Sequence, residues 1–177
     1  MEIIPVWKQV TPELKAELVA MWQRGQAMPD PASAATRADQ AVCVARGTNG
    51  ALCGVGTAVL RVLPRLRQPM YYYRQFFTPE VRGQNQTRPF FESAKGVLQA
   101  YNASLAAPES LGILLELENA QLAARYNMAQ SAATTFIGYS PRGLQLRVSY
   151  FEGALLLPPT VIQRRAASPG GRQAVRG

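Results

Sequence analysis

The sequence contains no histidine and only two cysteines, Cys43 and Cys53. Without imidazole there is no Ser–His or Cys–His nucleophile pair, and no histidine general base or metal ligand. Two cysteines alone do not complete a structural zinc site, so no metal is expected. The plainer expectation is two buried free thiols on neighbouring strands. No apolar run approaches the ~20 residues that cross a bilayer, so no membrane contact is expected. The start, MEIIPVWKQ, has neither the basic n-region nor the apolar core of a secretory signal, which makes the cytoplasm the expected address. Acids are also scarce, at 11 Asp and Glu against 19 Lys and Arg, for a net charge of +8. Residues 163–177 hold four of those arginines and no acid. Such a tail admits a nucleic-acid partner without requiring one.

What is present suits one folded domain. The 177 residues are 47% hydrophobic, enough for one real core and too few for two. Thr11-Pro12-Glu13 reads as a helix start, followed by Leu14, Leu18, Met21 and Trp22 on one face. Residues 28–35 read as a loop, with a second short helix near Arg37. Ala41–Arg46 and 51–63 read as strands around the hairpin signal Asn49-Gly50. Gly54 and Gly56 suggest a bulge or a close approach in the return strand.

The most informative stretch is Met70 to Tyr101. Tyr71, Tyr72, Tyr73, Phe76 and Phe77 suit a half-buried strand. From Pro89 the period changes, and Phe90, Ala94, Val97, Leu98 and Tyr101 recur at helical spacing. Between them lies Arg82-Gly83-Gln84-Asn85-Gln86-Thr87-Arg88, with two cations and no acid. Strand–loop–helix junctions present unpaired N–H groups and a positive dipole end, which together hold phosphate. Leu111 to Glu118 then reads as a strand covered on both faces, Asn119 to about Gln130 as a helix, and 134–139 with 144–151 as a closing hairpin.

This arrangement resembles the GNAT superfamily of N-acetyltransferases. Phe77-Thr78-Pro79-Glu80-Val81-Arg82-Gly83-Gln84 is similar to the family's acyl-coenzyme A loop, with the Pro, Arg and first Gly in register. Asn85 and Thr87 stand where the later glycines belong. Asn tolerates a left-handed backbone, whereas Thr87 places a branched side chain where the backbone should approach the pyrophosphate. Asn119 and Tyr126 resemble the family's Asn-x-x-Ala-x-x-x-Tyr helix, with the intervening Ala displaced by one.

The resemblance implies an α/β fold, a mixed and mostly antiparallel central sheet flanked by helices, with a V-shaped splay between the fourth and fifth strands. It covers residues 1–157 as one GNAT-like domain and leaves 158–177 as a disordered basic tail. It implies acetyl-CoA, or another acyl-CoA, as co-substrate and direct acyl transfer to an unidentified amine. The amides of Phe76 and Phe77 would face the thioester carbonyl. Residues Arg82, Gly83, Gln84, Asn85, Gln86, Thr87 and Arg88, with Asn119, would bind the cofactor. The resemblance makes Tyr126 the general acid, and a phenol of pKa ~10 still carries its proton at neutral pH when the thiolate departs.

Glu116 and Glu118 share one face of the fifth strand. Either could take the amine proton, directly or through water, with Glu116 the candidate base; the alternative is that one or both are solvated or paired with Arg147. A homodimer is compatible with the sequence. Two further readings stay open: a non-catalytic GNAT-like module with a degenerate loop, and a nucleic-acid-binding protein.

Overall fold

In the computed structural model, residues 1–28, 30–131 and 133–159 are described. Eight strands form one sheet in the order β1-β2-β3-β4-β5-β8-β7-β6. The strands are β1 (Glu2–Pro5), β2 (Ala41–Arg46), β3 (Leu52–Leu63), β4 (Gln68–Phe77), β5 (Gly112–Glu116), β6 (Gln130–Ser131), β7 (Thr134–Tyr139) and β8 (Gln145–Tyr150). Every neighbouring pair is antiparallel except β4–β5, which is parallel. That is the mixed, mostly antiparallel sheet expected.

Helix α3 (Thr87–Ser104) crosses between β4 and β5, as a parallel pair requires. Its buried Phe90, Ala94 and Leu98 pack on Tyr71, Tyr73, Phe77 and Ile113. The other sheet face receives α1 (Pro12–Arg24) and α2 (Pro31–Ala38), with Leu18, Met21, Trp22, Ala34 and Ala38 packed around Val44 and Val55. Strand alternation assigns β4 residues to the two sides. Tyr71 and Tyr73 meet α3, while Met70 and Tyr72 join a third cluster with Leu114 and Val148.

Gly54 and Gly56 meet both expectations: the β2–β3 register shifts beside each of them, while on the regular β3–β4 side they lie opposite Phe77 and Gln75 and allow a close approach. A Cβ at Gly54 would lie 2.5 Å from the Phe77 ring, and one at Gly56 would strike the Tyr73 side chain. Cys43 and Cys53 are free, buried and on adjacent strands, as expected. Burial pushes the Cys43 thiol up to about 11, against a weaker hydrogen bond with Ser93.

Three local expectations are corrected. The short helix expected near Arg37 begins already at Pro31, inside the stretch 28–35 expected as a loop, because Asp30 accepts from the Ser33 N–H at 2.9 Å and Pro31 opens the first turn. Two fully buried alanines, Ala34 and Ala38, then let α2 lie close against its neighbours. Helix α3 starts at Thr87, two residues before Pro89. The last helix, α4 (Ala120–Arg125), stops before Tyr126, whose backbone (φ −97°, ψ 55°) has left the helical region. The four arginines expected in a disordered tail lie outside the described residues.

Candidate active site

The site is built where β4 and β5 part. They pair at Tyr71–Ile113, Tyr72–Leu114 and Tyr73–Leu115 and no further. Beyond that point β4 stays on β3 as far as Phe77, while β5 stays on β8 as far as Glu116–Leu146. The resulting V opens into a cleft of about 450 Å³. Its walls include Gln75, Thr87, Arg88, Glu116, Asn119, Tyr126 and Arg147. Six residues singled out from the sequence (Thr87, Arg88, Glu116, Glu118, Asn119 and Tyr126) are thus brought together, although they come from three separate segments.

The amides that face the splay follow from ladder alternation. Thr78 donates its N–H to the Cys53 carbonyl at 3.0 Å. Bonded pairs recur every second residue in an antiparallel ladder, so Phe76, opposite Val55, also turns its amide to β3. Phe76 is therefore corrected as a candidate donor. Gln75 and Phe77 are the residues whose amides face away from β3, toward the splay.

The loop of residues 82–88 begins after a 3-10 turn, Pro79–Val81. Gly83 (φ 83°) and Asn85 (φ 57°) both adopt the left-handed conformation, so Asn85 tolerates the backbone that a second glycine would have served. Among the described residues, nothing accepts from the N–H groups of Gly83, Asn85, Gln86, Thr87 or Arg88. The start of the 18-residue α3 adds its positive dipole end to these donors.

The loop side chains divide sharply. Arg82 does not line the cleft: its Nε donates to the Phe77 carbonyl at 2.9 Å, and its guanidinium lies 5.3 Å from the Phe76 ring centre. Gln84 donates to the Glu80 carbonyl at 2.8 Å, and Gln86 donates to that of Gln84 at 3.2 Å. Arg88 is exposed, lines the cleft, and has no ion pair or hydrogen bond to its side chain among the described residues.

Across the cleft, Asn119 caps α4, its Oδ1 accepting from the Leu122 N–H at 3.0 Å. That hydrogen bond gives it a structural role. The Tyr126 hydroxyl has no hydrogen-bond partner among the described residues, and its ring sits 5.8 Å from the Arg147 guanidinium.

Glu116 has a largely buried side chain, 9% exposed. It accepts from the Tyr72 hydroxyl at 2.6 Å and stands 3.7 Å from Arg142 and 4.0 Å from Arg74. Burial would raise its pKa, but hydrogen bonds from Ser140 and Tyr72 and the two arginines outweigh burial and hold it below the usual carboxylate value. The expected alternative, pairing with Arg147, is corrected. Glu116 pairs with Arg74 and Arg142, and Arg147 faces the other way.

Arg147 is the residue whose importance the sequence concealed. It is 1% exposed. Its guanidinium donates to the Thr134 hydroxyl at 2.9 Å and to the carbonyls of Tyr126 (3.1 Å), Met128 (2.9 Å) and Ala129 (3.3 Å). Burial lowers its pKa, partly offset by Tyr126, but a guanidinium remains charged at any physiological pH. Arg147 thus holds the segment between α4 and β7 against β8, and Tyr126 with it. The available signal was the alternation that places Gln145, Arg147 and Ser149 on one face of β8. It was indistinguishable from a solvent-facing polar edge.

No protein-family model matches the sequence, and no curated protein matches it. Solved structures do. A GNAT-family acetyltransferase from Streptococcus pneumoniae superposes with a TM-score of 0.58 at 15% identity, covering 85% of this chain and 98% of its own. A GNAT superfamily phosphinothricin acetyltransferase from Sinorhizobium meliloti, solved with AcCoA, superposes at 0.56 with 14% identity over 95% of both chains. The splayed parallel pair, the loop leading into α3 and the agreement over nearly the whole chain establish that this protein has the fold of the GNAT superfamily of N-acetyltransferases.

Proposed function

We propose that the protein transfers an acetyl group from acetyl-CoA to an amine. The observation that carries this reading is the cleft at the β4–β5 splay. It combines inward-facing amides on one strand with five N–H groups at a helix start and a tyrosine hydroxyl on the opposite wall that have no partner among the described residues. These residues fit the group. The diphosphate would take the free amides of Gly83 to Arg88 and the Arg88 charge. Thr87, in place of a glycine, contributes its amide with them, and its side chain lines the cleft.

Acetyl-CoA supplies an activated thioester. The Gln75 amide, whose residue lines the cleft, donates to its carbonyl oxygen as negative charge develops there. The amine nitrogen forms the new C–N bond, the C–S bond breaks, and the Tyr126 hydroxyl gives its proton to the departing thiolate. The proton lost by the amine passes to water in the open cleft. Glu116 is a poor base in its present setting, because Tyr72 and two arginines stabilise its charged form. Its role in this scheme is to orient Arg74 and Tyr72. Against the alternative of a binding module with a degenerate loop, Asn85 adopts the left-handed conformation that a glycine would provide; Thr87 is the remaining departure on which that alternative rests.

The test is a titration with acetyl-CoA followed by thiol release across an amine panel. Ligand at 100 times its Kd should stabilise the fold by ~2.7 kcal/mol. Tyr126→Phe should keep that stabilisation and slow turnover by ~100-fold or more. Absence of acetyl-CoA binding at millimolar concentration would overturn the proposal. Full activity in Tyr126→Phe would remove the tyrosine from the mechanism.

A further inference from the structure

The sheet face opposite α3 carries a second feature, continuous with the cleft. Arg74, Gln75 and Glu118 line the cleft and also an adjoining cavity of about 420 Å³ between α1, α2 and β4. That cavity in turn shares Ser33, Arg37, Thr57 and Arg74 with a groove of about 370 Å³. The groove's walls include Arg37, Arg61 and Arg74, from α2, β3 and β4, and no acidic residue. Arg74 is shared with Glu118 and Glu116 at the groove's edge, so among the described residues the lining cations without an ion pair are Arg37 and Arg61, and they leave the groove net positive.

The nearby acids are committed elsewhere. Asp39 is paired with Lys15 at 2.6 Å, Glu17 with Arg46 at 2.9 Å, and Asp30 caps α2. Arg74 has partners of its own: it donates to the Tyr72 hydroxyl and lies 3.4 Å from Glu118. Arg37 and Arg61 have no ion pair among the described residues. Arg61 instead lies over the Tyr72 ring, 4.7 Å from its centre. Burial lowers the Arg37 pKa and the Arg74 charge adds to that, while the Glu118 carboxylate partly offsets them.

We propose that the acyl acceptor is a small amine that also carries a carboxylate, and that Arg37 and Arg61 hold that carboxylate in this groove. This rests on the acetyl-transfer reading above and specifies its second substrate. The order of the cavities gives the orientation. The amine end lies toward the splay, on the side of Glu118, whose carboxylate is held by Arg74 and Arg142. The carboxylate lies further along, against planar guanidinium groups suited to bidentate contact. Polyamines and other polycations are selected against by the same charge.

The experiment measures binding of reaction products by calorimetry, with coenzyme A held at saturation. The probes are N-acetyl-β-alanine, N-acetyl-γ-aminobutyrate, N-acetyl-δ-aminovalerate and N-acetyl-ε-aminocaproate, whose nitrogen and carboxylate are progressively further apart, their carboxamides, and N1-acetylspermidine. At least one free acid should bind tenfold or more tightly than its amide. Arg37→Gln and Arg61→Gln should each weaken that acid about tenfold, leave the amide unchanged, and leave coenzyme A affinity and melting temperature intact. Arg37→Lys should recover part of the loss. The proposal is overturned if no acid binds, if acids and amides bind alike, if acetylspermidine binds best, or if Arg37→Gln has no effect. Failure of the acetyl-transfer reading is seen separately, as absent acetyl-CoA binding or absent thiol release.

Discussion

The two walls of the cleft are held by different physics. The β4–α3 wall is an aromatic core: Phe77 meets Phe90 with ring centres 5.1 Å apart, Tyr73 meets Phe91 at 5.7 Å, and both pairs are edge-on. The α4–β8 wall depends on one buried arginine that gathers carbonyls from Tyr126 to Ala129. Non-directional packing fixes the first wall through many small contacts. A few directional bonds fix the second, and each missing one leaves a carbonyl exposed to a costly environment. The first wall carries the amide that would meet a thioester, and the second carries the tyrosine. The proposed chemistry needs the two kept in register.

The contrast is broken most strongly at Phe90, which is fully buried. Phe90→Ala should cost about 3–5 kcal/mol, a cavity cost in a packed core. Chemical denaturation should show the whole fold lose stability together, with the transition midpoint lowered. A loss below ~1 kcal/mol would mean that α3 contributes less to the core than its burial indicates.

Arg147→Met comes next. Methionine fills similar length but donates nothing, so the Tyr126, Met128 and Ala129 carbonyls lose their partner. The expected global cost is about 1–3 kcal/mol, below that of Phe90→Ala. Its signature is local: amide exchange in residues 126–135 should accelerate much more than exchange in β3 and β4. Uniform acceleration would show that Arg147 supports the core generally, and the two-wall distinction would fall. Unchanged exchange in 126–135 would show that its hydrogen bonds hold nothing in place.

The same contrast governs what the sequence could reveal. The aromatic wall was legible because its periodicity is local. Alternating Tyr71, Tyr73 and Phe77, followed by Phe90, Ala94 and Leu98 at helical spacing, identify strand and helix and which faces meet. The splay, too, follows from the loop and topology once the family resemblance is granted. The second wall was not legible. Asn119 signalled the start of α4, but its end is set by Arg147, which lies far along the chain and resembles a solvent-facing residue in its strand pattern. Arg82 misled for a related reason. Composition registers a cation in the loop, whereas only geometry shows its Nε bonded to Phe77.

The smallest expected effect separates those two loop arginines, and it sharpens the comparison between a side chain that braces a wall and one that faces the cleft. Arg88 lines the cleft and has no side-chain partner among the described residues. Arg82 packs on Phe76 and donates to the Phe77 carbonyl. A hydrogen bond to a charged group contributes about 1.5–3 kcal/mol, although an exposed arginine should deliver the low end of that range. Arg88→Gln should therefore weaken coenzyme A about tenfold in a calorimetric titration, and the salt dependence of binding should become shallower. Arg82→Gln should change affinity by no more than about twofold, because 1.4 kcal/mol is needed for a factor of ten. Its cost should appear in stability instead, as the Phe77 carbonyl loses its donor. Equal losses of affinity in the two variants would mean that Arg82 leaves Phe77 and turns to the phosphates on binding. Unchanged affinity in both would move the diphosphate away from the start of α3 altogether.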